Sequence, residues 1–133
     1  MKIDSLILFC VIIQISSDYM GIYLNPTNRE FSEAFRKEIY VDKSLLIEKV
    51  EYLKEKVNKY VCVLRSRRFG KSTDANMLVA YYSKGCDSSN IFDNLKISET
   101  AMYHKHLNKH NVIHLNMQDF YLAQKIFLNL SII

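Results

Sequence analysis

The feature that most constrains this chain is a short apolar run that leads through a basic loop into a helical pattern. Residues 60–64 are rich in β-forming side chains without polar alternation, as expected of a strand buried on both faces. Residues 65–73 then read R-S-R-R-F-G-K-S-T. The next apolar residues recur at helical spacing, at Ala75, Leu78, Val79 and Tyr82. This order predicts a strand, a loop and a helix over residues 71–83 that packs on the strand.

The loop matches three of the four fixed positions of the phosphate-binding pattern G-x-x-x-x-G-K-[ST]. Gly70, Lys71 and Ser72 are in place, and Arg65 stands where the first glycine usually stands. Between a strand and a helix, the backbone N–H groups of residues 67–72 would form a nest for an anion. Lys71 would then reach the β- and γ-phosphates of a nucleotide, and Ser72 would bind Mg²⁺ through its hydroxyl. The alternative is a surface turn with solvated basic side chains.

The predicted nucleotide-binding residues form one continuous stretch of the loop and the first helical turn. They are Arg67, Arg68, Phe69, Gly70, Lys71, Ser72 and Thr73. Of these, Ser72 is also predicted to bind the metal, as a ligand of nucleotide-bound Mg²⁺, and no catalytic residue is identified. The two arginines have alternative roles, since loop arginines contact phosphate, act on a neighbouring subunit's nucleotide, or remain solvated or paired with acidic groups.

Composition and charge agree with a single globular domain that binds an anion. Of 133 residues, 49% are hydrophobic and 24% are charged, which excludes a disordered or fibrous chain and leaves room for one core. The net charge is +4, with a local basic cluster in the loop at residues 65–71. A phosphate ligand explains this cluster more simply than nucleic acid does, although nucleic acid is not excluded.

The first 19 residues contain an apolar run, S-L-I-L-F-C-V-I-I-Q-I, that is too short to span a bilayer as a helix. Residues 1–19 are a weak signal or anchor, a buried segment, or an over-extended start upstream of Met20. We take residues 20–133 as the domain and expect residues 1–19 to be dispensable for nucleotide binding. The three cysteines are scattered and indicate reduced thiols, so we expect a cytoplasmic protein without stable membrane association.

Two further helices and a second strand are predicted. Ser32 begins a short helix that runs through Lys37, and Asp42 is a plausible cap for a longer amphipathic helix. That helix has an apolar stripe at Leu46, Val50, Leu53 and Val57, with charged residues on its other faces at Glu48, Glu51, Lys54, Glu55 and Lys56. Residues 111–117 are the second strand of the same parallel sheet, reached by a right-handed crossover.

The four histidines, His104, His106, His110 and His114, suggest two interpretations. His106 and His110 are four residues apart, as in some zinc sites, but no Glu or Cys is spaced to complete the ligand set. The alternative, which we favour, is a solvated basic connection. Read as the acidic strand of a nucleotide hydrolase, residues 111–117 would place Asn116 where an aspartate is needed.

Three stretches together resemble the bacterial AAA-ATPase-like family. They are I-Y-V-D-K-S-L-L-I-E-K-V, Y-V-C-V-L-R-S-R-R-F-G-K-S-T-D-A-N-M-L-V-A-Y-Y-S-K-G and I-F-D-N-L-K-I. The family carries Y-V-D-K-[ST]-x-L-I, then R-P-R-R-F-G-K-[ST], then L-F-x-x-L-x-I, and the likeness covers roughly residues 20–120. The family has Arg at the first loop position, so Arg65 is similar to a family variant, whereas Ser66 departs from the family's proline.

The resemblance implies a P-loop NTPase module with ATP and Mg²⁺ as ligands. The implied fold is an α/β three-layer sandwich with a parallel sheet, here partial and truncated, whose acidic strand would follow Phe120. Hydrolysis is then expected in the complete protein but not in this fragment, and nucleic acid would be contacted through a downstream nuclease-like domain. The family segment also suggests that Asp42 and Lys43 lie near the base or sugar. The alternative is a non-catalytic remnant that acts as an interaction or nucleic-acid-contacting module, and exposed apolar surface would favour self-association.

Overall fold

The computed structural model describes residues 24–56, 60–64 and 66–117, and the regular elements within them are helices. A single turn of 3₁₀ helix, Lys96–Glu99, lies between the fourth and fifth α-helices. The α-helices are α1 (Arg29–Phe35), α2 (Leu45–Lys56), α3 (Lys71–Tyr82), α4 (Ser89–Phe92) and α5 (Tyr103–His106).

Helix α3 forms the centre of the described core. Eight of its twelve residues are buried, among them Ala75, Leu78, Val79 and Tyr82 of the predicted stripe. The prediction of a helix over residues 71–83 is therefore confirmed to within one residue. Burial extends beyond the stripe to Met77, Ala80 and Tyr81, so the helix is covered on most of its circumference.

Aromatic side chains from several elements surround α3. Phe31 of α1 stacks on Phe92 of α4 with ring centroids 5.4 Å apart, and Tyr81 meets the same Phe92 ring edge-on at 5.4 Å. Large apolar side chains buried in this way each stabilise a fold by about 1.5–3 kcal/mol. The remaining members of the core come from α2, the 3₁₀ turn and their neighbours, and include Ile47, Leu95, Ile97 and Tyr103.

The prediction of an α/β sandwich with a parallel sheet is wrong, because the described residues contain no strand and no sheet. Residues 60–64, predicted as a buried strand, form no ladder within the described part of the chain. Tyr60 is 78% exposed and Leu64 is 77% exposed. β-Forming side chains produce a strand only where neighbouring backbone pairs with them and buries their faces, and composition cannot supply that neighbour.

Residues 110–113, at the start of the second strand predicted over residues 111–117, form isolated bridges instead. His110 bridges Ser83 in parallel orientation, and Ile113 bridges Leu24 in antiparallel orientation. The backbone N–H of Asn25 donates to the carbonyl of Val112 at 2.7 Å. This stretch therefore joins the end of α3 to residues 24–25, and the predicted crossover between two strands of one sheet is also wrong.

The two helices before the loop occupy the predicted regions but differ in detail. Helix α1 begins at Arg29, so Ser32 lies inside it rather than at its start. In α2, Leu46 and Val50 pack against the core as predicted, but Leu53 is exposed. The most buried residues of α2 are Ile47 and Glu51, so the buried face is centred beside the predicted stripe.

Glu51 was predicted on a solvent-facing side of α2, and its side chain is instead only 4% exposed. The Tyr82 hydroxyl donates to Glu51 Oε1 at 2.5 Å, and Lys54 Nζ donates to the same oxygen at 2.9 Å. Burial alone would raise the pKa of Glu51, but these hydrogen bonds outweigh it and hold the pKa below its ordinary value. The carboxylate is thus buried with its partners, which a pattern of charges along a helix does not reveal.

A histidine pair completes this buried polar cluster. His106 Nδ1 and His110 Nε2 lie 2.9 Å apart, and His106 Nε2 lies 3.6 Å from Glu51 Oε2. Burial lowers the pKa of His106 despite the attraction of Glu51. Burial and the neighbouring His106 lower the pKa of His110. Lys54, Lys105 and Lys109 add to this lowering, and Glu55 opposes it at His106.

We expect the stability of the protein to fall as the pH is lowered below the ordinary histidine pKa of 6.5. The lowered pKa values mean that the unfolded chain binds more protons than the folded chain in this range. The histidine contribution is therefore fully present above about pH 6.5 and is lost on acidification. Glu51 also makes the protein less stable on acidification, at lower pH than the histidines. Its pKa is lowered, so its carboxylate stabilises the fold only while it is ionised. Thermal melting between pH 8 and pH 5 measures this effect.

The control for this pH dependence is the exposed His104. His110→Gln should flatten the change in melting temperature between pH 7.5 and pH 5.5, whereas His104→Gln should keep the parental slope. A parental melting temperature that does not change across this window would contradict the assignment of a lowered pKa to the buried pair.

Asn108 connects the C-terminal end of α3 to the segment before α4. Its side-chain Nδ2 donates to the carbonyls of Ala80 and Ser83 at 3.0 and 2.7 Å, and its Oδ1 accepts from the N–H of Ser88 at 2.8 Å. Its backbone N–H donates to the carbonyl of Tyr81 at 2.7 Å. A φ of 53° places Asn108 in the left-handed region, which asparagine tolerates better than most residues. One side chain therefore satisfies backbone groups that the end of the helix leaves without partners.

Candidate functional site

The loop that precedes α3 contains two residues in the left-handed region. Arg68 has φ 67° and Gly70 has φ 78°. Glycine adopts this conformation without a steric cost, whereas an arginine pays about 1–2 kcal/mol for it. Alternation of left- and right-handed residues turns successive backbone N–H groups toward one side, which is the geometry of an anion nest. Strain of this kind is concentrated at functional sites in proteins.

Gly70 lies directly before Lys71, the first residue of α3. The N–H of Asp74 donates to the carbonyl of Gly70 at 2.8 Å and closes the first helical turn. The first N–H groups of an α-helix have no acceptor within the helix itself, and the helix dipole makes this end favourable for negative charge. The predicted order of loop and helix is therefore present, although the strand predicted before the loop is not.

The predicted nucleotide-binding residues differ in exposure. Arg67, Arg68, Phe69 and Ser72 are exposed, and Gly70, Lys71 and Thr73 are half-buried. Their roles toward a nucleotide stay predictions. Arg65, whose place in the pattern raised the question of a missing glycine, lies outside the described residues.

Lys43 reaches this loop from the segment that precedes α2. Its Nζ donates to the carbonyl oxygen of Phe69 at 3.0 Å and lies 3.4 Å from Asp74 Oδ1. The family resemblance predicted Lys43 near a nucleotide, but the contact with the loop carbonyl was not anticipated. No sequence signal pointed to Asp74, which is buried in the first turn of α3.

Asp42 uses its carboxylate for backbone contacts. Oδ1 accepts from the N–H of Ser44 at 2.8 Å just before α2, and Oδ2 accepts from the N–H of Lys96 at 2.9 Å. Burial alone would raise the pKa of Asp42, but these backbone hydrogen bonds hold it below the ordinary value. Of the two interpretations for Asp42, these contacts favour the structural one at the start of α2.

A cleft of about 430 Å³ opens beside the loop. Four of the predicted residues line it, namely Arg68, Phe69, Gly70 and Thr73. Its opposite wall comes from α1 and the segment that follows, and includes Ala34, Lys37, Ile39, Tyr40 and Val41. Burial, then the carboxylates of Asp42 and Asp74, raise the pKa of Tyr40 to about 12, so its phenol is neutral at physiological pH. The cleft thus combines apolar walls with amine and guanidinium groups.

A second cleft, of about 450 Å³, contains none of the predicted nucleotide-binding residues. Its lining residues include Pro26, Arg29 and His114. Within residues 24–56, 60–64 and 66–117, no group of three or more His, Cys, Asp or Glu residues is arranged to hold a metal ion. The zinc interpretation of the histidines therefore has no support there. The solvated interpretation holds for His104 but not for His106 and His110, which contact each other beside Glu51.

Comparison with known proteins adds one match. The model of the AAA-ATPase-like family, described as "Predicted AAA-ATPase", matches residues 29–132, well over half of the chain. Neither a curated protein nor a solved structure matches this chain. In the part of the chain that the structure describes, no helix has the length and apolarity needed to cross a membrane.

Proposed function

This chain belongs to the AAA-ATPase-like family, and from that premise we propose that it binds ATP with Mg²⁺ at the loop before α3. The observation that supports the proposal is the left-handed Gly70 directly before Lys71 at the start of a twelve-residue helix. A glycine in this conformation allows the loop backbone to turn its N–H groups toward an anion at the helix N-terminus.

Each residue of the stretch has a distinct role in the proposed site. The N–H groups of residues 67–72 donate to phosphate oxygens, and Lys71 contributes a positive charge to the β- and γ-phosphates. Ser72 binds the Mg²⁺ that accompanies the nucleotide. Thr73, the next residue, lines the cleft beside the loop. Bound Mg²⁺ would neutralise charge on the phosphates.

The cleft next to the loop is the proposed location of the base and ribose. It has apolar walls at Ile39 and Val41 and carries polar groups from Lys37 and Tyr40. A largely apolar pocket with a few polar groups is typical of sites for small organic ligands. We propose binding without a hydrolysis step, because none of the described residues is assigned to orient the attacking water.

The second candidate function is non-catalytic binding of nucleic acid. The exposed Arg68 beside Phe69, which is 58% exposed, favours it, because a guanidinium binds phosphate and an aromatic ring stacks on a base. Fluorescence anisotropy with labelled single-stranded DNA and RNA distinguishes the two functions. If ATP is bound, calorimetry detects binding of Mg-ATP, whereas a chain that binds only nucleic acid raises the anisotropy of the oligonucleotides and shows no affinity for Mg-ATP.

The experiment that tests the proposal is calorimetric titration of ATP with and without Mg²⁺. The parent chain should bind Mg-ATP more tightly than ATP alone. Ser72→Ala should reduce this Mg²⁺-dependent gain by about tenfold, or about 1.4 kcal/mol, because the hydroxyl ligand is lost.

The matched control is Ser66→Ala, which removes a hydroxyl from the same loop at a position with no proposed ligand. It should leave both titrations unchanged. A parent chain without measurable affinity for Mg-ATP at millimolar concentration would refute the proposed function.

A further inference from the structure

We propose that Lys43 is a positioning residue that fixes the orientation of the Phe69–Gly70 peptide, and with it the N–H that Gly70 presents to phosphate. This inference rests on the proposed function, and it assigns a role to a lysine 26 residues before the carbonyl that it contacts. The role is to hold the loop in its binding conformation before the nucleotide arrives.

The contact of Lys43 with Phe69 fixes the orientation of one peptide group. Lys43 Nζ donates to the carbonyl oxygen of Phe69 at 3.0 Å. The described residues contain no cis peptide bond, and in a planar trans peptide the C=O and the following N–H point in opposite directions. The Gly70 N–H therefore points away from Lys43. Without this donor the carbonyl loses the partner that holds it, and rotation of the peptide would turn an oxygen toward the phosphate.

Lys43 also fits closely against Gly70. A Cβ added at position 70 would lie 3.0 Å from Lys43 Nζ, which is closer than ordinary van der Waals contact. The φ of 78° also disfavours any side chain at this position. The backbone conformation thus favours glycine, and a side chain at position 70 would also displace the lysine amine by a few tenths of an ångström.

Lys43 also lies beside the negative charge of Asp74. Its side chain is 9% exposed in the first turn of α3, and Lys43 Nζ lies 3.4 Å from its Oδ1. A carboxylate in this turn would repel a bound polyphosphate, and the amine offsets that charge. Lys43 therefore contacts both the loop, at Phe69, and the start of α3, at Asp74. An amine held by these two partners supports the loop rather than the ligand.

The experiment compares Lys43→Met with Lys49→Met. Methionine retains most of the side-chain length and removes the amine. Lys49 is exposed on α2 and is not a lining residue of the cleft, so this variant removes one positive charge away from the proposed site. We expect Lys43→Met to weaken Mg-ATP binding about tenfold and Lys49→Met to change it less than about threefold. Melting temperatures without nucleotide should be similar in the two variants, because a partly exposed ion pair contributes little stability.

A direct measurement of the loop uses selective ¹⁵N-glycine labelling, since the chain has three glycines. The Gly70 amide resonance, identified by its loss in Gly70→Ala, should shift or broaden in Lys43→Met without nucleotide. The Gly85 resonance should stay unchanged, and Lys49→Met should leave both unchanged.

The double variant Lys43→Met/Asp74→Asn separates positioning from charge balance. If Lys43 fixes the peptide, the double variant stays weak in ATP binding. Recovery of parental affinity would overturn the inference, because Lys43 would then act only by offsetting Asp74. Equal affinities of Lys43→Met and Lys49→Met would overturn it as well. If the parent itself does not bind ATP, the proposed function fails and this inference with it; normal parental binding with an unaffected Lys43→Met overturns the inference alone.

Discussion

Replacing Lys71 with alanine should weaken the binding of Mg-ATP about 100-fold or more, which corresponds to about 2.7 kcal/mol. Lys71 is the first residue of α3, directly after the left-handed Gly70. In the proposed site its amine makes charge-assisted contacts with two phosphate groups, each worth about 1.5–3 kcal/mol. Alanine is the best helix former, so the start of α3 should be retained. Calorimetry with Mg-ATP measures the loss.

The control is Lys84→Ala, which removes the same charge just beyond the other end of α3. We expect parental affinity from this variant, since helix-terminus effects are confined to the first and last turns. Parental melting temperature in Lys71→Ala shows that the lost affinity is local. A Lys71→Ala variant that binds ATP as tightly as the parent would refute the assignment of the loop as the phosphate site.

Replacing Asn108 with alanine should reduce the free energy of unfolding by about 3 kcal/mol. Its amide donates to the carbonyls of Ala80 and Ser83 and accepts from the N–H of Ser88, and all three contacts are lost. Partly buried backbone groups at the end of α3 are then left without partners, which costs more than the hydrogen bonds themselves contribute. Alanine is also strained at a φ of 53°. Urea denaturation followed by far-ultraviolet circular dichroism measures the loss.

Two further variants divide this effect. Asn108→Gly removes the same side chain but tolerates the left-handed backbone, so it should recover about 1 kcal/mol relative to Asn108→Ala. Asn94→Ala removes an exposed amide with one long contact, to the carbonyl of Asn90 at 3.3 Å, and should change stability by less than about 0.5 kcal/mol. Equal stability of Asn108→Ala and the parent would contradict the role of this side chain.

Local patterns in the sequence predicted the parts of this protein that depend on neighbouring residues in the chain. Helix α3 has apolar residues at helical spacing and lies where predicted, because a helix satisfies its hydrogen bonds within its own segment. The same holds for most of α2. The three stretches that resemble the AAA-ATPase-like family agree with the match over residues 29–132. Gly70, a fixed position of the loop pattern, has the positive φ that only glycine adopts freely.

Tertiary structure decided the features that depend on residues distant in sequence. A strand requires a partner, and the β-forming residues 60–64 have no ladder within the described residues, so their composition was misleading. The charge of Glu51 indicated a solvent-facing position, but partners from α3 and α5 meet it in the interior. Lys43 reaches Phe69 across 26 residues. Such contacts arise only when separate segments pack together, and no spacing within one segment encodes them.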